Sequence, residues 1–220
     1  MRLNADFSQR VVIRPEDHVW TGSPSSGVER MMLDRIGEEV ARATSLVRFA
    51  PGSRFSEHEH GGGEEFLVLD GVFSDESGDY PAGSYVRNPI GTAHSPHTDP
   101  GCTIFVKLRQ FDPSDTEQFH VATAEAAFVP GTVPGMTELL LHDVPGETVR
   151  IVDFAPGTRG AAHAHPGGEE ILVLSGSVSD AEGHYPAGSW IRNPPGLPHR
   201  PVSEEGCRLY IKSGHLAALV

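Results

Sequence analysis

The stretch His58 to Glu65 reads HEHGGGEE, and it returns as HAHPGGEE from His163 to Glu170. The offset of 105 residues also links Gly52 to Gly157, Gly83 to Gly188, Pro89 to Pro194, His94 to His199 and Cys102 to Cys207. From Val47 to Lys107 no insertion is needed, and about half of the aligned positions are identical. Upstream the match continues with a small length change: Trp20 corresponds to Phe128, and Gly27 to Gly135. A repeat of this length is a whole domain, so the chain must fold as one small architecture made twice. The polar, turn-rich stretch from Phe111 to Phe119 marks the boundary, dividing the chain into residues 1–112 and 113–220.

Each repeat is written in strands. FLVLDGVFSD and ILVLSGSVSD are apolar runs too short for helices and are closed by Gly and Asp. DYPAGSYVRNP and HYPAGSWIRNP each join a turn to an alternating strand that ends at proline. ESGDY and AEGHY read as hairpin tips, and the run from Gly37 to Gly52 favours a strand over a helix because of Thr44, Val47 and its closing Pro-Gly. With 25 glycines and 18 prolines, the expected fold is all-β: two tandem antiparallel barrels or sandwiches.

The 17 basic and 30 acidic side chains leave a net charge of −13. A field of that sign repels phosphate backbones and anionic lipid, so direct nucleic-acid or membrane binding is not expected. The N-terminus carries no apolar run of signal-peptide length, no stretch reaches membrane-span length, and two cysteines make no disulfide framework. The cytoplasm is the expected compartment.

In a strand, residues i and i+2 share a face, so His58 projects with His60 and His163 with His165. A third imidazole comes from His94 or His199, behind the fixed turns NPIGTAH and NPPGLPH. An acid at Glu64 or Glu65, and its counterpart Glu169 or Glu170, completes a three-nitrogen, one-oxygen set. That set suits zinc, iron, manganese or nickel, one ion per repeat. No thiolate takes part, so a closed structural zinc site is not expected. Four donors on an ion that accepts five or six leave room for water, dioxygen or a chelating ligand.

These residues resemble the paired cupin motifs, G-x5-H-x-H-x3,4-E-x6-G and G-x5-P-x-G-x2-H-x3-N. The first motif reads Gly52, His58, His60, Glu64, Gly71 and again Gly157, His163, His165, Glu169, Gly176. The second reads Gly83, Pro89, Gly91, His94 and again Gly188, Pro194, Gly196, His199, with Thr98 and Ser203 where the motif has Asn. The resemblance implies two jelly-roll barrels, each with a metal inside. The motif spacing selects Glu64 and Glu169 as the carboxylate ligands over Glu65 and Glu170. More narrowly, the stretch from Gly61 to Pro96 is similar to the cupin domain of ChrR-type anti-sigma factors. In that family a cupin sensing lobe is joined to a zinc-binding helical lobe that sequesters an ECF-type sigma factor. The similarity covers the sensing lobe, doubled, and not the sigma-binding lobe. It implies a small-molecule ligand and a stress-response or regulatory role, with a sigma-factor-type protein partner and a homodimer as further expectations.

Several residues remain open at this stage. Phe55, Glu57, Glu59 and His97 of the first repeat are Gly160, Ala162, Ala164 and Val202 in the second, so the two sites are expected to differ in their walls. If the chain is an enzyme, it would be a mononuclear non-haem metal dioxygenase, or a related lyase or isomerase, acting on a dicarbonyl or hydroxyketone. Glu57 or Glu59 would then serve as base if it faces inward. Cys102 and Cys207 read as buried free thiols, and Arg87-Asn88 and Arg192-Asn193 as turn residues. His18, His120, His142, His184 and His215 read as surface histidines.

Overall fold

The computed structural model describes residues 1–219. Its regular structure is almost entirely antiparallel strand, arranged in two compact units. The first comprises Met1–Ala5 with Val19–Ala126; the second comprises Asp6–His18 with the chain from Ala127 onward. The units therefore follow the sequence repeat except at its N-terminal strands.

In the first unit the main sheet runs Arg2–Leu3, Val28–Gly37, Ala41–Phe49, Cys102–Leu108, Glu64–Asp75, Ser84–Asn88, Phe119–Ala122. In the second it runs Val129–Pro130, Met136–Val144, Glu147–Phe154, Cys207–Ser213, Glu169–Asp180, Trp190–Asn193, Val11–Ile13. The last strand of each sheet comes from the other repeat. Phe119 pairs with Arg87 in one unit, and Val11 pairs with Arg192 in the other. Val11 and Phe119 are 108 residues apart, as are Gly27 and Gly135, so equivalent strands have been exchanged.

The long strands Glu64–Asp75 and Glu169–Asp180 each serve two sheets. Their first halves pair with Ser84–Asn88 or Trp190–Asn193, and their second halves fold back on the hairpin arms Gly78–Pro81 and Gly183–Pro186. The change of sheet happens at the motif glycines. Gly71 and Gly176 have φ of 72° and 66°, where a side chain is strained. A Cβ there would also lie 2.0 Å from the carbonyl oxygen of Gly101 or Gly206. Register shifts lie beside both glycines, so the bulge and the bend coincide.

The strands alternate between two faces. In the first unit Phe66, Val68, Phe73, Val86, Ile104 and Val106 are buried together; in the second Ile171, Val173, Val178, Ile191 and Leu209 are. Each such side chain stabilises the fold by about 1.5–3 kcal/mol relative to exposure.

The face opposite this core carries buried charge. Arg87 donates to Glu65 at 2.9 Å and to Asp115, and its guanidinium lies 4.2 Å from the centre of the Phe111 ring. Arg192 lies 4.3 Å from the Phe7 ring and donates to the Asp6 carbonyl at 3.0 Å. These arginines, read from sequence as turn residues, hold exchanged or linker segments against their sheets. Thr98 and Ser203, which replace the motif Asn, each donate a hydroxyl to a backbone carbonyl at 2.6 Å. His142 and His215 depart from the sequence reading: the side chain of each is buried rather than on the surface.

Candidate metal centre

In the first unit the strands His58–Glu59 and Ala93–His94 pair antiparallel, with His94 opposite His58. That pairing brings together imidazoles distant in sequence. Ring centroids stand 5.3 Å apart for His58 and His60, 4.9 Å for His58 and His94, and 4.6 Å for His60 and His94. Glu64, at the start of its long strand, places Oε2 3.4 Å from His60 Nε2 and 3.6 Å from His94 Nε2. Its neighbour Glu65 faces the other way, accepting hydrogen bonds from Tyr85 at 2.6 Å and Arg87 at 2.9 Å. Adjacent strand residues cannot share a face, so only one of the two acids reaches the imidazoles.

The position of each proton follows from the partners of Nδ1. His58 Nδ1 faces the Ser56 carbonyl at 3.2 Å, which can only accept, so this nitrogen carries the hydrogen. The Thr92 hydroxyl donates to the Pro89 carbonyl at 2.7 Å, so it accepts from His60 Nδ1 at 2.9 Å. Asp75 Oδ2 accepts from His94 Nδ1 at 3.2 Å. In the neutral rings, all three Nε2 atoms therefore present lone pairs toward one point, beside a carboxylate. His60 Nε2 and His94 Nε2 are buried and have no hydrogen-bond partner. Lone pairs and a carboxylate without an intervening proton repel; a cation at their focus turns repulsion into coordination.

The second unit repeats the cluster with different spacing. His163 pairs with His199 through a β-bridge, and their Nε2 atoms are 2.9 Å apart. His165 Nε2 is 3.1 Å from both His163 Nε2 and Glu169 Oε2. His163 Nδ1 donates to the Ala161 carbonyl at 3.0 Å, leaving its Nε2 bare. Two atoms each 2.0–2.1 Å from one ion lie about 3.0 Å apart at right angles and about 3.4 Å apart at the tetrahedral angle. The separations of 3.4 and 3.6 Å from Glu64 in the first unit, and of 2.9–3.1 Å in the second, fall in or near that range, so the residues fit a transition metal. In each unit the three histidines offer ligand atoms within 4.8 Å of one another. Glu170 lies elsewhere, 3.5 Å from His215.

The supporting shells differ. Asn88 Nδ2 reaches Glu64 at 3.4 Å, and Asn193 Nδ2 reaches Glu169 at 2.8 Å. Gln118 donates to Asn88 at 3.1 Å, whereas Arg10, its counterpart on the exchanged strand, donates to Asn193 at 2.8 Å. Arg10 also binds Asp180 at 2.5 Å, and the Tyr185 hydroxyl donates to Asp180 at 2.8 Å. Asp180 is the counterpart of Asp75, and the His199 Nδ1 it does not hold lies 3.0 Å from Glu169 Oε1. Burial pulls both His94 and His199 down, but the Asp75 hydrogen bond and the Glu64 and Asp75 charges outweigh it at His94, which ends raised. His199 ends lowered, its burial exceeding the attraction of Glu169. Burial raises Glu169, yet its hydrogen bond from His165 and the neighbouring imidazoles bring it below the usual carboxylate range.

Glu57 and Glu59 are exposed, which gives neither the inward placement a base would need. Asn88, Asn193, Thr92 and Asp75 escaped the sequence reading as site residues, although the two asparagines and Asp75 recur at the repeat offset. Arg10 carried no sequence signal, because its counterpart is a glutamine.

The family described as ChrR Cupin-like domain matches this chain twice, over residues 8–112 and 116–217. No curated protein matches it. Among solved structures, a candidate dioxygenase from Nostoc punctiforme aligns with a TM-score of 0.80 at 14% identity, covering 96% of this chain and 84% of that one. A Pseudomonas aeruginosa protein provisionally described as glyoxylate-induced aligns at 0.75 and 16%, covering 97% and 90%. A variant of Bacillus subtilis oxalate decarboxylase aligns at 0.65 and 14%, covering 92% and 76%. At these identities the likeness concerns the fold: two tandem cupin barrels.

Proposed function

The chain belongs to the ChrR cupin-like domain family, in both of its repeats, and on that premise we propose that it is a metal-dependent binding protein with a regulatory or stress-response role. His58, His60, His94 and Glu64 hold one divalent transition-metal ion; His163, His165, His199 and Glu169 hold the second. The observation that carries this reading is the focus of bare Nε2 atoms and a carboxylate in the first unit, with His60 Nε2 and His94 Nε2 buried and unpartnered. Bound there, the ion would supply Lewis acidity at a position open to a small oxygen-donor ligand. The chain's own part is to fix donor geometry. The Ser56, Ala161 and Thr92 oxygens and Asp75 set the tautomers, while Asn88 and Asn193 orient the carboxylates.

The test is reconstitution of metal-free protein with Co(II), followed by addition of azide. Visible absorption bands that shift on azide binding are expected, because an open position accepts the anion. Bands indifferent to azide would contradict an open site. The regulatory reading also implies a protein partner of sigma-factor type, to be sought by co-purification with ECF-type sigma factors from the native host.

The second unit favours an enzymatic reading on one further ground. A cavity of about 340 Å³ adjoins His163, His165, Glu169 and His199, with largely apolar walls. A volume of that order holds a small organic substrate beside the metal. Oxygen uptake by the iron-loaded chain with a β-dicarbonyl panel, abolished in His163→Ala, would establish a dioxygenase.

A further inference from the structure

We propose that the second unit is a ligand chamber, and that its ligand is a molecule with one oxygen-chelating head and an uncharged apolar body. This rests on the metal-binding reading above and adds which barrel takes the ligand and of what class. In the first unit a run of aromatic rings packs beside the imidazoles. Phe49 lies 5.3 Å from Phe55 and 6.1 Å from Phe73, Phe66 lies 4.6 Å from Phe73, and Phe73 lies 5.8 Å from His94. At the equivalent positions 105 residues on, Phe55 is Gly160, Phe66 is Ile171 and Phe73 is Val178. Three rings are lost, and those three replacements all line the 340 Å³ cavity that opens onto the second cluster. Gly160 is held small by its surroundings, since a Cβ there would lie 2.8 Å from Pro201 Cγ.

The wall also says what the ligand body must be. Met136, Val152, Phe154, Leu209 and Ile211 complete it, and an apolar cavity of this kind gains by excluding water around an apolar guest. Its charged groups are already matched: Asp180 with Arg10 at 2.5 Å, and Arg150 with Glu138 at 3.2 Å. A second charge on the ligand would meet only paired charges among the described lining residues, so recognition of charge is confined to the metal end.

The test compares acetohydroxamate with hexanohydroxamate, which share a chelating head and differ by four methylenes, on the full chain loaded with Co(II). Single-site proteins isolate each barrel: His58→Ala leaves the second site and His163→Ala leaves the first. Titration calorimetry and the Co(II) absorption bands read binding. In His58→Ala, hexanohydroxamate is expected to bind at least tenfold tighter than acetohydroxamate, at one equivalent per chain. In His163→Ala the two probes are expected to bind alike. Val178→Phe, which restores the ring of the first unit, should remove the long-chain preference while Co(II) uptake and acetohydroxamate binding persist. Equal chain-length preference in both single-site proteins, or none in either, overturns the inference while leaving the metal reading intact. Failure of either site to take up Co(II) would instead overturn the metal reading. The two single-site proteins decide the matter even if Val178→Phe does not fold.

Discussion

The hydrogen carried by each imidazole decides what a cluster of four side chains can hold. With Nδ1 of His58, His60 and His94 committed to a carbonyl, a hydroxyl and a carboxylate, only Nε2 remains for the centre. Glu64 and Glu65 then have separable jobs. Glu64→Gln removes the anionic donor, and divalent-metal affinity in the first unit should fall at least tenfold with the thermal midpoint of the metal-free protein little changed. Glu65→Gln removes one of the carboxylates that pair with buried Arg87, leaving its pairing with Asp115. It should cost about 2 kcal/mol in urea unfolding while metal affinity holds. Metal titration and denaturation on both variants check this, and the reverse assignment of effects would sink it. The cysteines offer a second test at this scale. Cys102 is buried, and burial pushes its thiol up to about 11; Cys207 is raised by the same cause. A group whose folded pKa is raised keeps its proton to higher pH than in the unfolded chain. At pH 8 roughly one Cys102 in a thousand is thiolate, so Ellman's reagent should react with the native protein far more slowly than with protein in denaturant.

At the scale of elements, the exchanged strands connect folding to the sites. Val11–Ile13 joins the second sheet and brings Arg10 to Asn193 and Asp180; Phe119–Ala122 joins the first and brings Gln118 to Asn88. Arg10 thereby orients Glu169 through Asn193, and it occupies the carboxylate whose counterpart in the first unit holds His94. Arg10→Gln should weaken Co(II) binding at the second site about tenfold and leave the first unchanged, read in the His58→Ala and His163→Ala backgrounds. An equal loss at both sites would mean the residue acts through general stability. These relations mark how far the sequence could be read. Strand alternation puts the two histidines of each His-x-His on one face, and the repeat offset and the turns add His94 and His199 to their own clusters. The cupin motif spacing selects Glu64 over Glu65, whereas parity says only that one of the two acids can reach the imidazoles. Which sheet receives a short edge strand is a non-local choice, settled in the second unit by pairing Val11 with Arg192 and Ile13 with Trp190, far along the chain, and no local pattern encodes it. The burial of His142, and the role of Arg87 as an ion-pair centre, also depend on neighbours that sequence spacing does not reveal.

For the molecule as a whole, duplication has kept the candidate donors and let the walls diverge. All four donor types persist in both repeats, while Phe55, Phe66 and Phe73 have become Gly160, Ile171 and Val178. Conserving donors within one chain while changing what surrounds them is the pattern expected of two metal sites with separate tasks. No helix among the described residues is long and apolar enough to cross a membrane, and the net charge of −13 disfavours anionic partners. The central claim is that each barrel closes on one cation. It is tested most directly by the metal content of Co(II)-loaded, extensively dialysed protein, measured by plasma mass spectrometry. Two ions per chain are predicted for the native sequence, one for His58→Ala, one for His163→Ala and none for the double variant. Protein that retains no ion, or whose content is indifferent to these substitutions, would contradict the account.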